Sequence, residues 1–192
     1  MLPYTQGEIV IAQMVNVLFL CTGNSARSIL AESLLNHLGN GRFRAYSAGS
    51  QPKGEVHPLA LELLRSLDFP TDGLRSKSWD EFETTDAPAM DFIVTVCDNA
   101  AGEACPVWLG HPVSAHWGIE DPAAVQGSVL EQKAAFVKAW GYLRNRIAAF
   151  IALPLQRLEP AALRAQLAAI GASDGASAGV VDRCGGSAGE PA

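Results

Sequence analysis

The feature that most constrains this chain is a junction between two kinds of secondary structure. Residues 15–20 read VNVLFL, a short apolar run rich in β-branched side chains, of the kind buried on both faces of a parallel sheet. The loop CTGNSARS follows at once, and then a helical stretch with Leu30, Leu34 and Leu38 spaced four apart. The alternation continues. FRAYSAG (43–49), DFIVTV (91–96) and the weaker PVSAHW (112–117) read as strands, and HPLALELLRSLDF (57–69) as a helix. The stretch to about Ile151 carries Phe136, Trp140, Leu143, Ile147 and Phe150 on one face at helical spacing. This pattern predicts an α/β fold, a doubly wound, mostly parallel four-stranded sheet with helices on both faces. Ligands in that class bind at the carboxyl ends of the strands. Cys21 follows the first strand, Cys97 ends the third and Asp121 follows the fourth, so the three are expected on one rim.

Composition narrows the function classes. The 192 residues suit one domain, and 48% hydrophobic with 18% charged residues excludes a wholly disordered chain. Lys and Arg number 14 against 20 Asp and Glu, with no basic run, so no nucleic-acid surface is expected. No apolar run approaches the roughly 18 to 20 residues of a membrane span, so no membrane partner is expected either. Four cysteines (Cys21, Cys97, Cys105 and Cys184) are too sparse for a secreted disulfide scaffold, and the N-terminus lacks a signal-peptide pattern. The expected compartment is the reducing cytoplasm.

The chain divides into an N-terminal extension (1–14), a main domain (15–152) and a C-terminal extension (153–192). Met14 is a candidate start. EPAALRAQLAAIG (159–171) is expected as a short helix outside the main core. The Gly-, Ala- and Ser-rich text from Gly171 onward is expected to be a disordered tail, with Cys184 a bystander within it.

The chemistry is carried by the loop from Cys21 to Ser28, which reads C-x5-R-S. A loop closing onto a helix N-terminus gathers backbone N–H groups and positive dipole charge at one point, a seat for an oxyanion. Thr22, Gly23, Asn24, Ser25, Ala26, Arg27 and Ser28 are the expected oxyanion-binding residues. Gly23 allows the tight turn, Asn24 holds the loop through its side chain, and Arg27 presents a planar fork of donors. The same field should lower the pKa of Cys21 from about 8.5 into the range of roughly 3.5 to 7.5, leaving a thiolate nucleophile, with Ser28 donating to the sulfur. Elsewhere, C-x5-R would describe a buried small residue and a surface cap; its place between strand and helix decides for chemistry.

CTGNSARS, the strand before it and Asp121-Pro122 resemble the low-molecular-weight protein tyrosine phosphatase superfamily over about residues 15–152. VCDNAAGEACPVW and HWGIEDPA resemble its arsenate-reducing branch. The tyrosine phosphatases typically carry a second cysteine in the loop and aromatic residues after the Asp-Pro, where this chain has Ala26 and Ala123-Ala124.

The resemblance implies reduction of arsenate, with Cys21 as nucleophile, Arg27 as anion clamp and Asp121 as proton donor to the departing oxygen. A helix cap is the other role open to Asp121. Cys97 is expected to resolve the Cys21 adduct and Cys105 to take the disulfide onward. The implied electron donor is thioredoxin, glutaredoxin or a low-molecular-weight thiol, with no bound cofactor. A tyrosine phosphatase and a non-catalytic oxyanion-binding regulator are the alternatives. Cys97, Cys105, His111 and His116 supply zinc-type ligands, yet the cysteines are too far apart for a knuckle, so no metal is expected. Glu32 is expected in solvent, and Lys77 with Trp79 at the rim or on a solvated helix start.

Overall fold

The computed structural model describes residues 14–102, 108 and 111–177. Cys105, Cys184 and the segment before Met14 lie outside them. Among the described residues the strands are β1 (Val15–Leu20), β2 (Phe43–Ala48), β3 (Phe92–Thr95) and β4 (Val113–His116). They form one sheet in the order β2-β1-β3-β4, with every pairing parallel, so the expected doubly wound class is borne out. The α-helices are α1 (Arg27–Leu38), α2 (Pro58–Ser66), α3 (Asp98–Gly102), α4 (Val129–Ile151) and α5 (Pro160–Gly171).

Alternation along β1 sorts the two faces. Val17 and Phe19 point to the larger core, built with Leu30 and Leu34 of α1, Leu64 of α2, and Phe136, Leu143 and Ile147 of α4. Leu18 and Leu20 point the other way and pack with Ile93, Met90 and Trp108, beneath Trp79 and Phe82 of the 3₁₀ turn Trp79–Phe82. The cover is unequal: long helices on one face, a short turn and connecting chain on the other.

Strand β3 ends at Thr95, so Cys97 stands two residues beyond it rather than at its end. Val96 still donates to the Leu20 carbonyl at 2.8 Å, and the chain then turns into α3.

The C-terminal extension differs most from expectation. Helix α5 belongs to the main core, with Leu163, Leu167 and Ile170 buried in it. The Trp117 indole donates to the Leu167 carbonyl at 3.1 Å, and α5 lies along β4. Residues 171–177, expected in the tail, are described and tied down: Ala176 bridges Ile119, and Ser177 N–H donates to the Gly118 carbonyl at 3.1 Å. The physical reason is Arg146. This side chain is only 1% exposed, within the apolar stripe of α4, and donates to the carbonyls of Trp117 at 2.7 Å and Ser173 at 3.3 Å. A buried guanidinium needs such acceptors, and they come from the segments it staples together.

Leu167→Ala should therefore cost about 2 to 5 kcal/mol of unfolding free energy in urea titration, as a core truncation does. A loss below about 0.5 kcal/mol, typical of surface sites, would return α5 to the periphery.

Candidate active site

The loop between β1 and α1 is shaped by where its carbonyls go. Thr22, Gly23 and Ser25 carbonyls accept from the N–H groups of Gln51, Lys53 and His57 at 2.9, 3.0 and 2.8 Å. In a trans peptide the next N–H points opposite its carbonyl, so the N–H groups of Gly23, Asn24 and Ala26 turn inward. Asn24 N–H meets the Cys21 sulfur at 3.2 Å. The result is an inward-facing set of amides above a sulfur, closed by the N-terminus of α1, whose N-cap is Ala26 and so supplies no capping acceptor.

Asn24 holds this shape. Its φ of 38° lies in the left-handed region, which asparagine tolerates better than most residues. It is fully buried, and its amide donates to the hydroxyls of Ser28 and Ser47 at 2.9 Å each and accepts from Lys77 N–H at 2.8 Å. The loop also needs Gly49 after β2, where a Cβ would come within 2.4 Å of the Thr22 carbonyl oxygen.

Glu32 and Lys77 are corrections to the sequence reading. Lys77 is buried and Glu32 is mostly so: Glu32 accepts from Ser47 at 2.5 Å, and the Lys77 ammonium lies 3.5 Å from Glu32 and 3.4 Å from Ser47. Burial pushes Glu32 up and Lys77 down, and each partner opposes the other's shift. Burying a lone carboxylate or ammonium is costly, which explains their pairing behind Asn24. No local signal in the sequence reveals this pairing; only the meeting of the 76–78 segment with Asn24 and Glu32 does.

Cys21 also departs from expectation. Its sulfur is 3.0 Å from the Ser28 hydroxyl, as foreseen, and Arg27 is near. Burial nevertheless pushes the thiol above its ordinary pKa, and Cys97 adds to the rise, while Ser28 and Arg27 pull it down. The sequence argument counted the donors around the sulfur and not the loss of water around it.

Arg27 is mostly buried and reaches across the rim. It pairs with Asp121 at 3.1 Å and donates to the Ile119 carbonyl at 3.0 Å. Asp121 uses one oxygen to cap the turn Pro122–Ala124, accepting from Ala123 N–H at 3.1 Å, and its other oxygen for Arg27. Both geometries weighed for it are present. Thr22, Gly23, Ser25 and Ala26 line a cleft over Cys21 with Arg27 and Asp121; Gln51, Lys53 and Asn99, which the sequence reading did not single out, complete it.

Cys97 is buried and free, and its sulfur seats against this loop. Thr22 N–H points at it at 3.4 Å, as does Ala100 N–H at 3.4 Å. The zinc reading finds no support in the placement of His116, whose ring nitrogens engage Thr95 and Asp98. Among the described residues no group of three or more His, Cys, Asp or Glu side chains is arranged to hold a metal ion. Nor is any helix among them long and apolar enough to cross a membrane.

The model for low molecular weight phosphotyrosine protein phosphatases matches residues 16–152. The chain belongs to that family. Within the family, the arsenate reductases of Oceanobacillus iheyensis and Bacillus subtilis are each 33% identical over 134 residues, which span 70% of this chain and 93% of theirs. The crystal structure of arsenate reductase from Archaeoglobus fulgidus superposes with a TM-score of 0.57 at 26% identity, over 71% of this chain and 99% of that one. A thioredoxin-dependent arsenate reductase of Corynebacterium glutamicum gives a TM-score of 0.51 at 27% identity, over 70% of this chain and 61% of its own. Family membership accounts for the loop; the C-terminal extension beyond residue 152 lies outside the match.

Removing a donor from a sulfur destabilises its thiolate, so Ser28→Ala should raise the Cys21 pKa further. Iodoacetamide labelling followed against pH, with Cys97 and Cys105 replaced by Ser, is expected to show a midpoint shifted upward and slower labelling at neutral pH. A midpoint that stays in place would deny the hydroxyl its role.

Proposed function

We propose that this protein reduces arsenate to arsenite by a two-thiol mechanism. One observation carries the reading: a second buried thiol, Cys97, seated on the nucleophile's own loop. Hydrolysis of a phosphate ester needs only Cys21, Arg27 and Asp121, and leaves Cys97 without a task. The arsenate-reductase relatives support the same choice.

Arsenate is a tetrahedral oxyanion, and its oxygens suit the inward amides and the Arg27 fork. The Cys21 sulfur attacks arsenic, an S–As bond forms and an As–O bond breaks. The thiol proton leaves with that oxygen as water, relayed through Asp121. Burial favours the protonated thiol, so the proton that the sulfur gives up on attack is available to the leaving oxygen. The Cys97 sulfur then attacks the Cys21 sulfur. An S–S bond forms, and the S–As bond breaks with its electron pair staying on arsenic, taking As(V) to As(III). The Cys97 proton goes to an arsenite oxygen, and two thiols have become one disulfide.

Cys105, assigned to carry that disulfide outward, lies outside the described residues. The final electrons come from an external thiol reductant. Thioredoxin is the donor assigned first, supported by the thioredoxin-dependent relative. Free thiols at Cys21 and Cys97 suit the reducing cytoplasm.

In an arsenate-dependent NADPH assay coupled through thioredoxin, Cys21→Ser and Cys97→Ser should each abolish turnover, and Asp121→Asn should lower it by about 10²- to 10⁴-fold. Parallel arms with glutaredoxin and small thiols test the donor. Intact arsenate turnover in Cys97→Ser would overturn the two-thiol mechanism. Fast aryl phosphate hydrolysis without arsenate reduction would make the protein a phosphatase.

A further inference from the structure

Cys97 is braced from both sides by a single imidazole. Thr95 ends β3 two residues before it, and Asp98 begins α3 immediately after it. His116, the last residue of β4, bridges the two: its Nδ1 lies 2.8 Å from the Thr95 hydroxyl and its Nε2 3.0 Å from Asp98 Oδ1. With Nε2–H donating to the carboxylate, Nδ1 accepts the Thr95 proton, so one tautomer satisfies both contacts.

The same Asp98 oxygen accepts a second bond, at 2.6 Å, from the hydroxyl of Ser177. Ser177 is itself anchored, its N–H donating to the Gly118 carbonyl at 3.1 Å. Gly118 leaves the room for this meeting. A Cβ there would come within 2.3 Å of the Ser177 oxygen, 2.5 Å of Asp98 Oδ1 and 2.6 Å of His116 Nε2. Two polar groups from distant parts of the chain, His116 and Ser177, thus converge on Asp98, the residue next to Cys97. One of them comes from the C-terminal extension, outside the segment that the family shares.

We propose that Ser177, with Asp98 and His116, forms a clamp that sets the position of the Cys97 sulfur for its attack on the Cys21 sulfur. The clamp touches neither arsenic nor the reacting sulfurs, so its members are positioning residues. The proposal rests on the two-thiol reading above and adds to it the part played by the C-terminal extension. The step governed is the second one: S–S formation between Cys97 and Cys21, with the S–As electron pair passing to arsenic and the Cys97 proton to an arsenite oxygen. A sulfur displaced by a fraction of an ångström loses its line of approach, and attack slows while substrate binding does not.

The test uses the full chain carrying Cys105→Ser, so that the first disulfide is not passed on, with Ser177→Ala, and with Ser177→Thr as the variant that keeps the hydroxyl. The reduced protein is mixed with arsenate in the absence of reductant. The Cys21–Cys97 disulfide is quenched with acid, mapped by mass spectrometry and timed, and aryl phosphate hydrolysis reports on Cys21, Arg27 and Asp121 alone. Ser177→Ala is expected to slow disulfide formation by about five- to tenfold, the effect of one ordinary hydrogen bond lost. The KM for arsenate and the aryl phosphate rate should stay unchanged, and Ser177→Thr should restore the disulfide rate. A truncation after Ala176 should reproduce Ser177→Ala. Parental disulfide rates in both Ser177→Ala and the truncated chain would overturn the clamp while leaving the two-thiol mechanism standing. Equal losses of disulfide formation and aryl phosphate hydrolysis would overturn it as well, by showing a general effect on the fold. If the Cys105→Ser chain with Ser177 intact forms no Cys21–Cys97 disulfide with arsenate, the two-thiol reading itself falls and takes the clamp with it.

Discussion

The site depends on the direction of three carbonyl groups. Because Thr22, Gly23 and Ser25 spend their oxygens on the N–H groups of Gln51, Lys53 and His57, the amides that follow face inward, over Cys21. No side chain in the loop could produce that arrangement by itself. It needs the 51–57 segment as an outer partner, the positive φ of Asn24 as the bend, and the buried bonds of Asn24 to Ser28, Ser47 and Lys77 to hold the bend in place. The Glu32–Lys77 pair stands behind Asn24 for the same reason: a polar brace inside a core must itself be satisfied.

Burial and activation act against each other at Cys21. The inward amides, Ser28 and Arg27 all favour the thiolate, while the loss of water and the presence of Cys97 favour the thiol, and the second pair prevails. In the arsenate reduction proposed above, the thiol proton and the leaving oxygen depart together as water. Asp121 lines the same cleft, with one oxygen anchored to Ala123 N–H and the other facing Arg27 across the rim.

The C-terminal extension is joined to the parts of the molecule that carry the chemistry. Arg146 binds the carbonyls of Trp117 and Gly118, just ahead of Asp121, and those of Ser173. Ser177 closes onto Asp98 beside Cys97. Helix α5 supplies the apolar weight that holds the segment down, through Leu163, Leu167 and Ile170. An element added beyond the common fold has therefore become a wall of two site-bearing loops.

The amino-acid order alone determined the α/β alternation, the parallel sheet and the rim on which Cys21, Cys97 and Asp121 meet, because hydrophobic period and the place of C-x5-R-S between strand and helix are local properties. It also determined Asn24 as the holder of the loop. Other features were decided only when distant segments met. Lys77 came to lie against Glu32, away from solvent, because the 76–78 segment meets the loop and α1; the Cys21 thiol was pushed up by how much protein covers it; Arg146 entered an apolar stripe because carbonyls from Trp117 and Ser173 were there to receive it. The Gly-, Ala- and Ser-rich text after residue 171 has too little apolar surface to order itself. Up to Ser177 it is held by hydrogen bonds to Ile170, Arg146, Gly118 and Asp98, partners that composition does not reveal. Burial and long-range hydrogen bonding are properties of the assembled chain, and they set both the upward shift of the Cys21 thiol and the bonds that meet on Asp98 beside Cys97.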